Sequence, residues 1–166
     1  MSMKHIMSDA NSSGLTEVQP GDSQPNAVDL RVSKLFKMKP NQFELMGNKK
    51  VHRGSEEILP DDDDCWNLEP GTYEIIMDNM VAVAEGYAGW VITRSTLNRN
   101  GLWISSGLYD AGYHGIMAGA LHVEHGPAKI KRGSRVGQFI MFEAETLSMY
   151  DGDYGIGKEH DKKYGN

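Results

Sequence analysis

The sequence predicts an all-β domain, a sandwich or a barrel, and three observations carry that reading. From Ala27 onward the chain is written in short β-type units: "AVDLRVSKLF", "TYEIIM", "GWVIT", "LWIS", "GIMAGALHV", "AKI" and "RVGQFIMF". Pro and Gly punctuate the gaps, as in "EPG" at Glu69 to Gly71 and "KRGS" at Lys131 to Ser134, and the latter predicts a hairpin turn. Only "RSTLNRNG", Arg94 to Gly101, has a helical pattern, and it is short.

Taken in order, residues 1–16 are polar, with Ser and Asn, and predict a loose arm. Residues 17–146 hold the strand-like units and form the domain, because 166 residues suit one core better than two. Inside it, "PDDDDC" at Pro60 to Cys65 is a charge block without periodicity and reads as a solvated loop rather than a metal site. Residues 147–166 are rich in Gly, Tyr and charge without a core pattern, so they predict a mobile tail able to fold over a ligand.

Charge and cysteine content narrow the function classes. With 17 Lys and Arg against 23 Asp and Glu, the net charge is -6, which leaves no broad electrostatic footprint for nucleic acid. Any phosphate must meet a local basic cluster. The single Cys65 excludes an internal disulfide framework and a cysteine zinc cage. No stretch approaches the roughly 18 apolar residues that span a membrane, and the N-terminus has no apolar export segment. The expectation is a cytoplasmic protein, of the cell itself or of an infecting virus.

Two motif matches are set aside on mechanism. "GDYGIGK", Gly152 to Lys158, approaches a phosphate loop, but Glu159 stands where Ser or Thr must hold magnesium, and the flanking strand and helix are missing. A Gly-rich strip with Lys158 closing over phosphates is what remains of that reading. His122 and Glu124 in "HVEHGP" match a zinc deaminase fragment that also requires a downstream Cys pair, which is absent. His114, His122, His125 and His160 therefore read as surface or network histidines, and Trp66, Trp90 and Trp103 as core or interface aromatics.

The informative clusters are two. Arg94, Ser95 and Arg99 put two guanidiniums and a hydroxyl within two turns, and a capped helix start beside them offers amides and charge to an anion. "SGLYDAGYHG", Ser106 to Gly115, sets one carboxylate, Asp110, among glycines and tyrosines between two strand-like runs, where the backbone can hold it at a fixed angle.

In sequence order these segments resemble the dUTPase and dCTP deaminase superfamily from about Val18 to the end. "QPNAVDLRV" is similar to its first motif with Asp29 at the acidic position, "TRSTLNRNGL" to its second, "SGLYDAGYHG" to its third and "RGSRVGQFIMF" to its fourth. The resemblance implies a distorted jelly-roll-like β-barrel, a homotrimer with sites built between subunits, and a tail closing over the site. It implies Asp110 as general base for water attack on the α-phosphate, assisted by Gln138. Arg94, Ser95 and Arg99 would grip phosphates, and Tyr113 would pack on the deoxyribose. Ser106, Gly107 and Gly115 would let the backbone approach the nucleotide. Lys158 and a tail aromatic, Tyr154 or Tyr164, would close the site, and Asp29 would support the Mg2+ of the triphosphate through water.

The superfamily divides by chemistry. In its deaminases a catalytic glutamate lies five residues beyond the last glycine of the third motif, and counting from Gly115 lands on Ala120, which cannot shuttle a proton. Arg99, the N-terminal segment and the tail resemble the deaminase branch. The resulting expectation is a dUTP pyrophosphatase on a deaminase-like scaffold, acting on a pyrimidine deoxynucleoside triphosphate. A deaminase with a displaced acid and a non-catalytic nucleotide-binding or regulatory protein stand as the alternatives.

Overall fold

The computed structural model describes residues 2–8 and 13–165, and within them nearly all the regular structure is antiparallel strand. In chain order the strands are β1 (Met3–Lys4), β2 (Gly14–Leu15), β3 (Val28–Met38), β4 (Glu44–Met46), β5 (Lys49–Val51), β6 (Ser55–Ile58) and β7 (Cys65–Leu68). They continue as β8 (Gly71–Ala82), β9 (Tyr87–Thr93), β10 (Leu102–Ser105), β11 (Leu108–Tyr109), β12 (His114–Val123), β13 (Ala128–Lys131) and β14 (Arg135–Glu143). A single α-helical turn, α1 (Ser95–Asn98), follows β9.

One sheet runs β10-β12-β8-β3-β14-β9-β11, with β1 added to β14, β2 to β8 and β6 to β3. Its long strands carry the apolar runs read in the sequence, and they bend where the register slips: between Val32 and Lys34, between Ile116 and Ala118, and between Arg135 and Gly137. Each slip adds one residue to one strand, or two at Ile116/Ala118, and curls the sheet. The two ends of the curl meet through a side chain: Thr93 Oγ1 on β9 donates to the Ile104 carbonyl of β10 at 3.1 Å and accepts from the Ile104 amide at 2.7 Å. The result is the expected jelly-roll-like half-barrel.

Leu30, Leu35, Ile75, Met77, Met117, Leu121, Phe139 and Met141 fill its interior. The β7–β13 ribbon adds Trp66, whose indole N–H is satisfied by the Ile58 carbonyl at 2.7 Å.

Three expectations are corrected here. The N-terminal arm is not loose among its described residues: β1 pairs with β14, β2 pairs with β8, and Ile6 is buried in the core. The apolar Ile6 and Leu15 account for this, while residues 1 and 9–12 lie outside the described part. "KRGS" turns with Gly133 at φ 78°, but β13 and β14 do not pair with each other, so the turn hands the chain from the ribbon to the main sheet. The tail, except for residue 166, is docked: Glu159–Tyr164 forms a 3-10 helix, and Tyr164 buries against Phe36 and Ile76.

Gly119 makes a close approach to a neighbouring main chain, since a Cβ there would stand 2.4 Å from the Ser105 carbonyl oxygen. Gly119→Ala is therefore expected to lower stability by about 1–3 kcal/mol in urea denaturation. Gly107→Ala, where nothing lies within 4 Å of the added carbon, should leave the midpoint nearly unchanged.

Candidate functional site

The turn between β11 and β12 answers what an aspartate does among glycines. The Tyr113 amide donates to the Asp110 carbonyl at 3.0 Å, the Gly112 amide to the Val83 carbonyl at 2.8 Å, and the Val83 amide back to the Tyr113 carbonyl at 3.0 Å. Gly112 takes φ 90°, with Met149 and Tyr150 packed against it. The backbone is fixed on both sides while the Asp110 side chain is exposed, and no described residue hydrogen-bonds its carboxylate.

Beside this turn lies a cavity of about 460 Å³, within the usual range for small-ligand sites. One wall is strand β12 with Tyr109 and Tyr113. Tyr113 donates to the Ile116 carbonyl at 2.6 Å, and the Tyr109 hydroxyl contacts both the amide and the carbonyl of Ala118 at 3.1 Å. These phenols satisfy main-chain groups in the part of β12 that β10 does not reach, since β10 pairs only with Leu121–Val123 and Ala120. Burial pushes both phenols well above the ordinary tyrosine range, so they stay neutral and present aromatic faces.

The other wall is the chain's own tail. Tyr150, Tyr154, His160, Asp161 and Tyr164 all line the cavity. Asp161 is buried, accepts from the Gly155 amide at 2.7 Å, and lies 3.3 Å from His160 Nδ1. The Ile156 amide donates to the His114 carbonyl at 2.9 Å. Gly115 is glycine for this reason, because a Cβ there would meet the Gly155 Cα at 2.7 Å. That space was expected to admit a ligand; the tail fills it.

The basic cluster sits elsewhere. Asp29 is fully buried on β3; it accepts from Gln138 Nε2 at 3.0 Å and Arg135 Nη1 at 3.2 Å, and it pairs with the Arg94 guanidinium, whose Nε lies 3.2 Å away. Both of its oxygens are committed, so it fits the role of anchoring two guanidiniums and an amide and does not fit that of a magnesium ligand. Among the described residues no group of three His, Cys, Asp or Glu is arranged to hold a metal ion. Arg94 is the N-cap of α1 and makes no side-chain cap, so Ser95 is the first helical residue rather than the cap; Ser95 and Arg99 are exposed. Lys158 stands outside the cavity, 3.8 Å from Asp151.

Register gives the separation of the two groups. Tyr109 pairs with Gly89 and Gln138 with Ile92, which puts Asp110 beside Ala88 and Arg94 six residues further along the strand. At about 3.3 Å per residue the gap is roughly 20 Å.

Sequence reasoning singled out Asp110, Tyr113, Ser106, Gly107 and Tyr154, which the structure gathers at or beside the cavity. It missed Arg135, although the residue lies inside a quoted motif, and it missed Glu74. A charge in the apolar run "TYEIIM" was the available signal. Glu74 pairs in register with Ala120, so the spot where a deaminase acid was expected has a carboxylate on the next strand. Burial would raise its carboxyl, but the Tyr164 hydroxyl, Lys163 and Ser55 outweigh burial and hold it below the usual range.

The fold is thus a curled antiparallel half-barrel, and its candidate site is an aromatic pocket with an exposed carboxylate on a fixed turn beside it and a remote guanidinium cluster. A family model described as dCTP deaminase-like matches residues 2–144. The chain belongs to the dCTP deaminase-like family. A relative from Methanothermobacter thermautotrophicus, described as a probable deoxyuridine 5'-triphosphate nucleotidohydrolase, is 34% identical over 135 residues, 79% of this chain and 86% of its own. The 2'-deoxycytidine 5'-triphosphate deaminase of Agrobacterium tumefaciens shares the fold with a TM-score of 0.62 at 17% identity, covering 80% of this chain and 43% of that one. A dUTPase from phage phi11 of S. aureus, for which coordination of a structural Mg(II) ion is described, shares it with a TM-score of 0.54 at 15% identity, covering 89% and 100%.

Two predictions concern the buried carboxylates. Asp29→Asn should cost about 2 kcal/mol in urea denaturation, because the Arg94 and Arg135 guanidiniums lose the carboxylate that compensates them. Burial raises the fully buried Asp22 carboxyl, but the two-point contact with Arg31 at 2.7 and 3.0 Å and the Gln19 amide outweigh it and hold it low. A depressed folded value gives stability that is present above the unfolded pKa of about 4 and lost as pH falls through the folded value. Thermal midpoints should drop on acidification below about pH 4, and less steeply in Asp22→Asn.

Proposed function

We propose that the protein hydrolyses dUTP to dUMP and pyrophosphate, with Asp110 as the base. The observation that carries this reading is Asp110, exposed on a fixed turn directly after Tyr109 of the aromatic pocket, together with Ala120 at the deaminase acid position. Its relative from Methanothermobacter supports the same activity. Deamination needs a group that passes a proton between water and the cytosine ring. The carboxylate nearest to Ala120 in register, that of Glu74, is occupied by Lys163, Tyr164 and Ser55 instead.

In the proposed reaction Asp110 takes a proton from a water, the water oxygen bonds to the α-phosphorus, and the bond from that phosphorus to the bridging oxygen breaks. Pyrophosphate leaves. The nucleoside sits in the cavity, with the sugar against Tyr113, where the ring leaves no room for a ribose 2'-hydroxyl. Ser106 and Gly107 form the near rim, and Tyr154, the exposed tail aromatic, covers the base; Tyr164 is buried and serves the tail itself. Magnesium enters with the triphosphate as part of the substrate, since Asp29 does not fit a metal role.

The triphosphate is gripped by Arg94, Ser95, Arg99 and Gln138 of a second copy, because Arg94, at the centre of that group, stands roughly 20 Å from Asp110 in one chain. Positioning and charge stabilisation then supply most of the rate, as suits attack at phosphorus. The outer face of the sheet between the two groups supports such an assembly: Trp90 and Leu108, cross-strand partners, are 47% and 53% exposed, and Ile92 continues the patch. Unpartnered apolar faces of this kind mark association surfaces. A homotrimer with a cytoplasmic location completes the reading.

Incubation with dUTP and dCTP separately, with Mg2+, tests the reaction. dUMP and pyrophosphate without ammonia are expected, whereas ammonia from dCTP would restore the deaminase and no product from either nucleotide would leave a binding role. Asp110→Asn should lower kcat by at least about a hundredfold while nucleotide binding by calorimetry persists.

A further inference from the structure

We propose that Glu74 is the positioning residue of the pocket: it docks the C-terminal segment onto its own barrel through Tyr164 and Lys163, and thereby sets Tyr154, His160 and Asp161 over the nucleoside. The inference rests on the reading of this cavity as the nucleoside site.

The segment has little else to hold it. "GIGKEHDKKYG" carries no apolar periodicity, and its 3-10 helix has charged residues at four of six positions. Its apolar anchorage is one ring, Tyr164, set edge-on to Phe36 with centroids 5.8 Å apart. Glu74 supplies the polar counterpart. Its side chain is 17% exposed, and it accepts from the Tyr164 hydroxyl, from Lys163 Nζ at 2.9 and 3.0 Å, and from Ser55 Oγ at 3.0 Å. Lys34 Nζ then donates to the Tyr164 carbonyl at 3.0 Å. A paired, partly buried carboxylate of this kind is costly to leave behind, which makes release of the segment unfavourable.

The effect reaches the pocket through the covalent chain. Tyr164 and Lys163 end the same short helix that carries His160 and Asp161, and Asp161 holds the Gly155 amide. Gly155 and Ile156 in turn lie on Gly115 and His114 of β12. Releasing Glu74 therefore loosens the part of the wall opposite Tyr109 and Tyr113 that runs from Gly155 to Tyr164, while Tyr150 keeps its own amide bond to the Ala111 carbonyl. Ala120, the register partner of Glu74, leaves the carboxylate room to reach across. The nucleotide binds only the docked form, so the apparent affinity falls in proportion to the fraction docked.

Two variants and two readouts test this. Glu74→Gln keeps the shape and removes the charge; Tyr164→Phe removes one hydroxyl from the tail and leaves the barrel intact. Hydrogen exchange in the absence of nucleotide should show amides of residues 155–161 opening about tenfold or more faster in both variants, with β3, β8 and β12 protected as before. With dUTP, KM should rise by a similar factor while kcat stays within about twofold. Unchanged exchange in both variants overturns the proposal. So does a collapse of kcat at constant KM in Glu74→Gln, which would make Glu74 a participant in the chemistry. If the unaltered protein fails to turn over dUTP, the functional reading falls, while the exchange result still decides whether Glu74 docks the tail.

Discussion

Strand β9 sets the distance on which the site depends. It is held between β14 on one side and β11 on the other, so its two ends carry different chemistry. Arg94 follows directly after one end, with Asp29 and Gln138 beside it; Asp110 projects beside the other. A paired strand cannot shorten, and its residues advance by about 3.3 Å each. Asp110 and Arg94 of one chain are therefore held roughly 20 Å apart along the strand. The face between them is apolar and exposed, at Trp90, Ile92 and Leu108, which is where a second copy would have to sit.

Buried charge is the second organising feature. Asp22, Asp29 and Asp161 are buried, and Glu74 nearly so, yet each is matched: Asp22 by Arg31, Asp29 by Arg94 and Arg135, Glu74 by Lys163, and Asp161 by the Gly155 amide. Among the described residues no buried side-chain nitrogen or oxygen lacks a partner. Such matching makes each carboxylate a fixed point, since removing one partner strands the other. Asp29 fixes the guanidinium cluster and Asp161 the main chain of the tail. Asp110 differs from all of these in being exposed, which suits the role of base proposed for it.

The barrel was largely legible in the sequence because its long strands are rich in apolar and β-branched residues between turn signals: "AVDLRVSKLF" falls on β3, "TYEIIM" on β8 and "RVGQFIMF" on β14. The two-residue strands β1 and β2 were not, since so short a segment has no period, and pairing at a sheet edge decides them. Asp110 was visible because glycines and tyrosines fence it within ten residues. The role of Asp29 was not, because its partners Arg94 and Arg135 are brought to it only by the register of β14 on β3 and β9. The docking of the tail was the least legible element. It depends on Glu74 meeting Tyr164 across 90 residues of sequence, and no local pattern announces a contact of that kind.

The central claim is that a working site joins Asp110 of one copy to Arg94 of another, and mixing two inactive proteins tests it most directly. Asp110→Asn and Arg94→Ala, each inactive alone, are combined in equal amounts, exchanged under mild denaturant and assayed with dUTP. Random assembly gives sites with both intact residues, and recovery of about a quarter of normal activity is predicted. No recovery, with mixed oligomers verified by mass, would mean that both residues must come from the same chain and would contradict the separation set by β9.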